Sequence, residues 1–158
     1  MNRSVLIALR VALVVLLLVA LLYQVQMPIM ASDVARTAPE VEHLVVPYSV
    51  AAILAILCAE VAGAAVWRLL SLVERGEVFG DAAVRWVDVV IASAVGVSAL
   101  SAAVLVHVLA VLRTGGPGVV LLLAVCVAGG AALALLMGVM RRLLRTAIDD
   151  RAELDEVI

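Results

Sequence analysis

Four long apolar stretches leave little of this chain for anything else. They run Val11–Met30, Val45–Leu70, Ala83–Leu112 and Val119–Met140, joined by short segments that carry arginine. A bilayer's hydrocarbon core takes about 20 apolar residues per helical crossing, so each stretch is long enough to span one. Hydrophobic residues make up 66% of the 158 and the mean hydropathy is +1.25, whereas a soluble domain is about 45–50% apolar. The pattern predicts an all-α integral membrane protein in one domain. Its expected form is a four-helix bundle of two antiparallel helical hairpins, with residues 141–158 as a cytoplasmic amphipathic helix.

Arginine sets the orientation. All 11 basic residues are Arg. Arg3 and Arg10 precede or open the first span, Arg68, Arg75 and Arg85 flank the second connection, and Arg141, Arg142, Arg145 and Arg151 lie in the tail. Only Arg36, beside Asp33, Glu40 and Glu42, and Arg113 fall on the other side. Short cytoplasmic loops carry the Lys/Arg excess, which puts both ends in the cytoplasm. Trp67 and Trp86 then sit at the inner ends of spans two and three, and Tyr23 and Tyr48 toward the outer ends, where amphipathic rings anchor at headgroup level. The first span is too long for a signal h-region, and Ile29-Met30-Ala31 is a poor small-x-small cleavage site, so an uncleaved anchor is expected. The net charge of −2 hides acids gathered at the C-terminal end. No concentrated basic face marks nucleic-acid binding, and none is expected.

Pro28 is expected to close or kink helix one, and Ala31–Val46 to form an outer loop. Pro47 suits the first turn of helix two, where a missing N–H costs nothing. Gly76 is its expected stop, and Asp81 the cap of helix three. Thr114-Gly115-Gly116-Pro117-Gly118 reads as a tight outer turn. Small residues let helix backbones approach in lipid, so Ala92, Gly96, Ala99 and Ala103 on helix three are expected contact faces. So are Cys126, Gly130, Ala134 and Gly138 on helix four, and Gly63 and Ala64 on helix two. The same stripes are equally compatible with a homo-oligomer.

Ionisable groups at membrane depth cost about 2.5–3.5 kcal/mol even on a lenient scale, which makes them functional candidates. Glu60 lies about 12 Å of helix rise before Arg68, well inside the hydrocarbon. Asp88 is one turn inside Arg85, Arg10 can reach the same layer, and His107 lies toward the outer end. Arg10, Glu60, Arg85, Asp88 and His107 thus form an expected intramembrane polar set. It is either a proton-, cation- or ligand-sensing group or a structural clamp of Arg10 with Glu60 or Asp88. The clamp is preferred, because intramembrane charges usually pair. His107, Cys126, His43 and Cys58 do not assemble the three or four ligands of a zinc site, nor a haem set. No hydrolase constellation appears, and Gly76-Glu77-Val78-Phe79-Gly80 lacks the Lys-Ser/Thr ending of a phosphate loop. Neither an enzyme nor a cofactor is expected.

Phe79 is the chain's only Phe and sits in a cytoplasmic loop, either tucked under the bundle or on a docking face. Beyond Arg142, the tail divides on a helical projection into an apolar half with Leu154 and an acidic half with Asp149, Asp150, Glu153 and Glu156. Anionic lipid attracts basic segments, so this acidic helix, Asp155 included, better suits a protein partner or its own bundle.

Arg75-Gly76-Glu77-Val78-Phe79, Arg85-Trp86-Val87-Asp88 and the ending Glu153-Leu154-Asp155-Glu156-Val157-Ile158 resemble a bacterial membrane protein family catalogued as domain of unknown function 2975. The resemblance extends over essentially the full length. The family's loop usually has a Ser-like cap after the Phe; Gly80-Asp81 replaces it here and keeps the capping role. The family has no established activity, but its members are often encoded beside a small helix-turn-helix regulator. That implies a cytosolic regulator as partner. Two function classes follow: a non-enzymatic sensor or regulatory membrane protein that docks its partner through Phe79 and the acidic tail, or a small transporter, channel or immunity-type protein using Glu60, Asp88 and His107.

Overall fold

The computed structural model describes residues 3–37, 42–75, 81–112 and 116–156. Four helices account for almost all of them: α1 Arg3–Thr37, α2 Glu42–Arg75, α3 Asp81–His107 and α4 Pro117–Glu156. A π-helical turn, Val108–Leu112, continues α3. All four are long and apolar enough to cross a membrane. At 1.5 Å per residue, the 34 residues of α2 reach about 50 Å and the 40 of α4 about 60 Å. Both exceed a hydrocarbon core of about 30 Å.

The helices therefore overrun the apolar stretches that define them. Pro28 does not close α1, which runs on through it to Thr37. The proline leaves the Gln24 carbonyl without its helical donor, and the rest of the ladder continues. Nearer the end, Ser32 and Thr37 hydroxyls donate to the Ile29 and Asp33 carbonyls at 2.8 and 2.7 Å. Pro47 lies inside α2, which already begins at Glu42. Most of the expected outer loop Ala31–Val46 is thus helix. Pro117 is the proline that occupies a first helical position, in α4; the Gly116 carbonyl before it accepts from Val119 N–H at 3.0 Å and Val120 N–H at 3.3 Å.

Each helix packs on its neighbour in sequence: α1 on α2, α2 on α3, α3 on α4. Among the described residues no other pair of helices comes into contact. The expected closed bundle is instead an open row, with α2 and α3 in the middle. Lipid tails cover an apolar helix face as well as another helix does, so in a bilayer burial of apolar surface does not force the row to close. Leu135 on α4 is 74% exposed and Leu16 on α1 62%, faces that suit acyl chains. Paired residues rise in number along one helix as they fall along the next, so every neighbouring pair is antiparallel.

Close approach uses a glycine at each of the three interfaces. A Cβ on Gly63 would stand 3.0 Å from Leu17 Cδ2, and one on Gly96 3.1 Å from Cys58 Sγ. A Cβ on Gly130 would overlap Ser98 Oγ and stand 3.0 Å from the Ala94 carbonyl oxygen. The expected small stripe on α3 is only partly correct. Ala92, Ala99 and Ala103 are exposed, whereas Val87, Val90, Ser93, Ala94 and Ser101 are buried. A helix with neighbours on two sides buries two faces, and a single stripe describes neither. On α2, Ala65 is buried and Ala64 exposed.

Candidate functional site

Polar groups of the spans meet across all three helix interfaces. Between α1 and α2, Arg10 forms an ion pair with Glu74 at 2.6 Å and reaches Ser71 Oγ at 3.5 Å. Its guanidinium lies 5.3 Å from the centre of the Trp67 ring. Farther along the same interface, Gln24 Nε2 donates to Glu60 Oε2 at 3.1 Å, and Glu60 Oε1 is buried without a partner among the described residues.

Between α2 and α3, the Tyr48 hydroxyl and His107 Nδ1 lie 2.7 Å apart, with the rings edge to face at 5.8 Å. With Nδ1 unprotonated, the hydroxyl donates to it. At the other end of this interface the Arg68 guanidinium stands 5.9 Å from the Trp86 ring centre. Between α3 and α4, Arg141 forms an ion pair with Asp88: Nη2 donates to Oδ2 at 2.9 Å, while Nε faces Oδ1 without a hydrogen bond.

Neither form of the expected clamp is present; the ion pairs that form are Arg10 with Glu74 and Asp88 with Arg141. Glu60 meets neither Arg10 nor Arg85, and Arg10 does not meet Asp88. Helix register explains all three. Arg10 and Gln24 are about 20 Å apart along α1, as are Glu74 and Glu60 along α2, so antiparallel packing matches them in that order. Because α2 extends two turns beyond Arg68, the layer opposite Arg10 holds Glu74. Arg10 does not pair with Asp88, and among the described residues α1 does not pack on α3. Arg85 is exposed and has no ion pair among the described residues.

Sequence reasoning singled out Arg10, Glu60, Asp88 and His107 but not Gln24, Glu74, Arg141 or Tyr48 as their partners. One signal was available: polar residues at mirror positions about a turn meet when helices pack antiparallel, as Gln24 with Glu60 and Asp88 with Arg141 do. The five expected polar-set residues do not converge. Glu60, Asp88 and His107 each bond to a different helix.

Cys58 and Cys126 are both free thiols, and Cys58 packs against Gly96. Among the described residues no three of His, Cys, Asp and Glu come together as a metal site would require. Phe79 lies outside the described residues. Asp149, Glu153, Leu154, Asp155 and Glu156 lie on the α4 backbone, with side chains outside the description.

A family model described as "Protein of unknown function (DUF2975)" matches residues 29–158. It takes in α2, α3 and α4 and leaves out most of α1. No curated protein and no solved structure matches the chain.

Proposed function

This chain belongs to the DUF2975 family, and on that premise we propose that it is a non-enzymatic, multi-pass protein of the bacterial inner membrane, acting as a sensor or regulatory partner of a cytoplasmic helix-turn-helix regulator. In this reading both ends face the cytoplasm, where nine of the eleven arginines lie. The observation that carries it is the continuity of α4. One helix of 40 residues runs from the outer turn to Glu156, roughly twice the length that crosses a bilayer. A shift in how α4 packs on α3 is therefore transmitted as rigid motion to the acidic end. The Asp88–Arg141 contact, placed where α4 leaves the apolar stretch, ties that arm to α3. The arm offers a regulator an acidic amphipathic surface, with Phe79 as the expected second element.

Deleting Ala147–Ile158 tests this. Membrane insertion and thermal stability in detergent should stay nearly unchanged, because the spans satisfy their backbone hydrogen bonds without the tail. Capture of a cytosolic helix-turn-helix regulator should be abolished. A truncated protein that fails to insert, or that still captures the regulator, refutes the reading.

One observation favours a second reading, as a small transporter, channel or immunity-type protein. Glu60 Oε1 is buried with no partner among the described residues, and a spare acceptor at membrane depth is what a passing proton or cation would use. Proton- or cation-dependent flux in liposomes that Glu60→Gln abolishes would establish it.

A further inference from the structure

The two tryptophans of this chain each lie against an arginine, and the two arginines differ in one respect. Arg10, against Trp67, is neutralised by Glu74 at 2.6 Å. Arg68, against Trp86, is exposed and makes no ion pair or hydrogen bond to another described residue. A guanidinium held over an indole by a cation–π contact still has its N–H donors to offer, and these match the oxygens of a phosphate. Two further exposed arginines lie close by. Arg85 adjoins Trp86 in sequence, and Arg75 follows Arg68 by two turns on the same face of α2. All belong to the arginine-rich ends of the helices, so in the membrane reading proposed above, on which this inference rests, they stand at the inner headgroup level.

We propose that the Arg68–Trp86 corner between α2 and α3 is a binding site for the phosphate headgroup of an anionic phospholipid, and that the Arg10–Trp67 corner is not. Charge selects the occupant. A zwitterionic lipid brings its own cation to the same place, whereas an anionic one leaves its phosphate charge for the arginine to meet. The Trp86 ring supports the guanidinium from beneath and fills the interfacial layer that tryptophan prefers. At Trp67 the Glu74 carboxylate already occupies the arginine and would repel a phosphate.

With only two tryptophans, each corner reports separately. Trp67→Phe leaves Trp86 as the sole fluorophore, and Trp86→Phe leaves Trp67. The intact chain carrying either change is reconstituted in phosphatidylcholine vesicles containing increasing fractions of acyl-brominated phosphatidylglycerol or acyl-brominated phosphatidylcholine. Bromine quenches tryptophan on contact. Trp86 should be half-quenched at a roughly fivefold lower fraction of the anionic lipid, the preference that one arginine near an anionic surface confers. High salt should diminish that preference, and Arg68→Gln should remove it. Trp67 should be quenched equally by both lipids.

Equal quenching of Trp86 by the two lipids overturns the proposal, as does a preference that survives Arg68→Gln. The same preference at both tryptophans also overturns it, since a uniformly cationic rim would then explain the result. If Arg68→Gln does not fold, the salt titration on Trp67→Phe decides alone, and a salt-independent preference refutes the site. No quenching of either tryptophan by either lipid would sink the membrane reading itself.

Discussion

Glu60 and Arg10 sit about 20 Å apart along the α1–α2 interface, so removing the Glu60 carboxylate leaves no arginine unpaired. Glu60→Leu gives up one hydrogen bond to Gln24. Such bonds between membrane helices average about 0.6 kcal/mol, far below the roughly 3–5 kcal/mol lost when one partner of a buried ion pair is removed. Thermal unfolding in detergent should therefore move little, and a loss of several kcal/mol would mean that Glu60 has a cationic partner after all. Asp88 and Arg141 should behave differently. Their side chains are 43% and 37% exposed, and Arg141 can extend its head toward water once freed. A double-mutant cycle with Asp88→Asn and Arg141→Gln should return a coupling of about 0.5–3 kcal/mol, the range for residues in direct contact. Additive losses would rule the pair out as a clamp. The types and depths of these residues were legible in the sequence, because a charge inside an apolar run stands out on its own. Their partners were not, because partnering depends on register, and register depends on where each helix ends.

Helix ends were the least legible level of this chain. Hydropathy located the middle of every helix, since burial in lipid is what selects apolar residues there. It missed the polar turns that extend α1 to Thr37 and start α2 at Glu42, which are helical by continuation of the hydrogen-bond ladder. Small-residue spacing identified the α3-facing side of α4 through Gly130, but misplaced α3, whose two buried faces obscure any single stripe. Gly130 gives this level its prediction. Gly130→Ala puts a Cβ into Ser98 Oγ and against the Ala94 carbonyl, and overpacking of this kind costs about 1–3 kcal/mol. Adding Ser98→Ala should recover part of the loss, since the hydroxyl goes and the carbonyl stays. Gly138→Ala, where a Cβ meets nothing within 4 Å, should be neutral or stabilise by up to about 1 kcal/mol through the unfolded chain. Equal melting shifts for Gly130→Ala and Gly138→Ala would show that α3 and α4 do not approach this closely.

A row of four antiparallel helices has a simple consequence for sidedness. Contacts from Arg10–Glu74 through Tyr48–His107 and Arg68–Trp86 to Asp88–Arg141 make each helix run opposite to the one before it, so Thr37 and Gly116 lie at one end of the row and Arg75 at the other. That part of the arrangement was readable from the count of apolar stretches, because four crossings return a chain to its starting side. Whether the row closes was not readable, since lipid and protein cover an apolar face equally well. Packing alone does not say which end is inside; the proposed orientation rests on arginine, with nine of its eleven residues toward one end. Single cysteines at Thr37, Gly76 and Gly116, placed in a chain with Cys58 and Cys126 replaced by Ala, read the result directly. In intact cells a membrane-impermeant maleimide should label positions 37 and 116 and should reach position 76 only after permeabilisation. Labelling of 76 alone in intact cells would invert the molecule, turning the Arg68–Trp86 corner and the acidic arm outward. Accessibility of 37 and 116 on opposite sides would mean an odd number of crossings between them, which the antiparallel contacts of α2 with α1 and α3 do not allow.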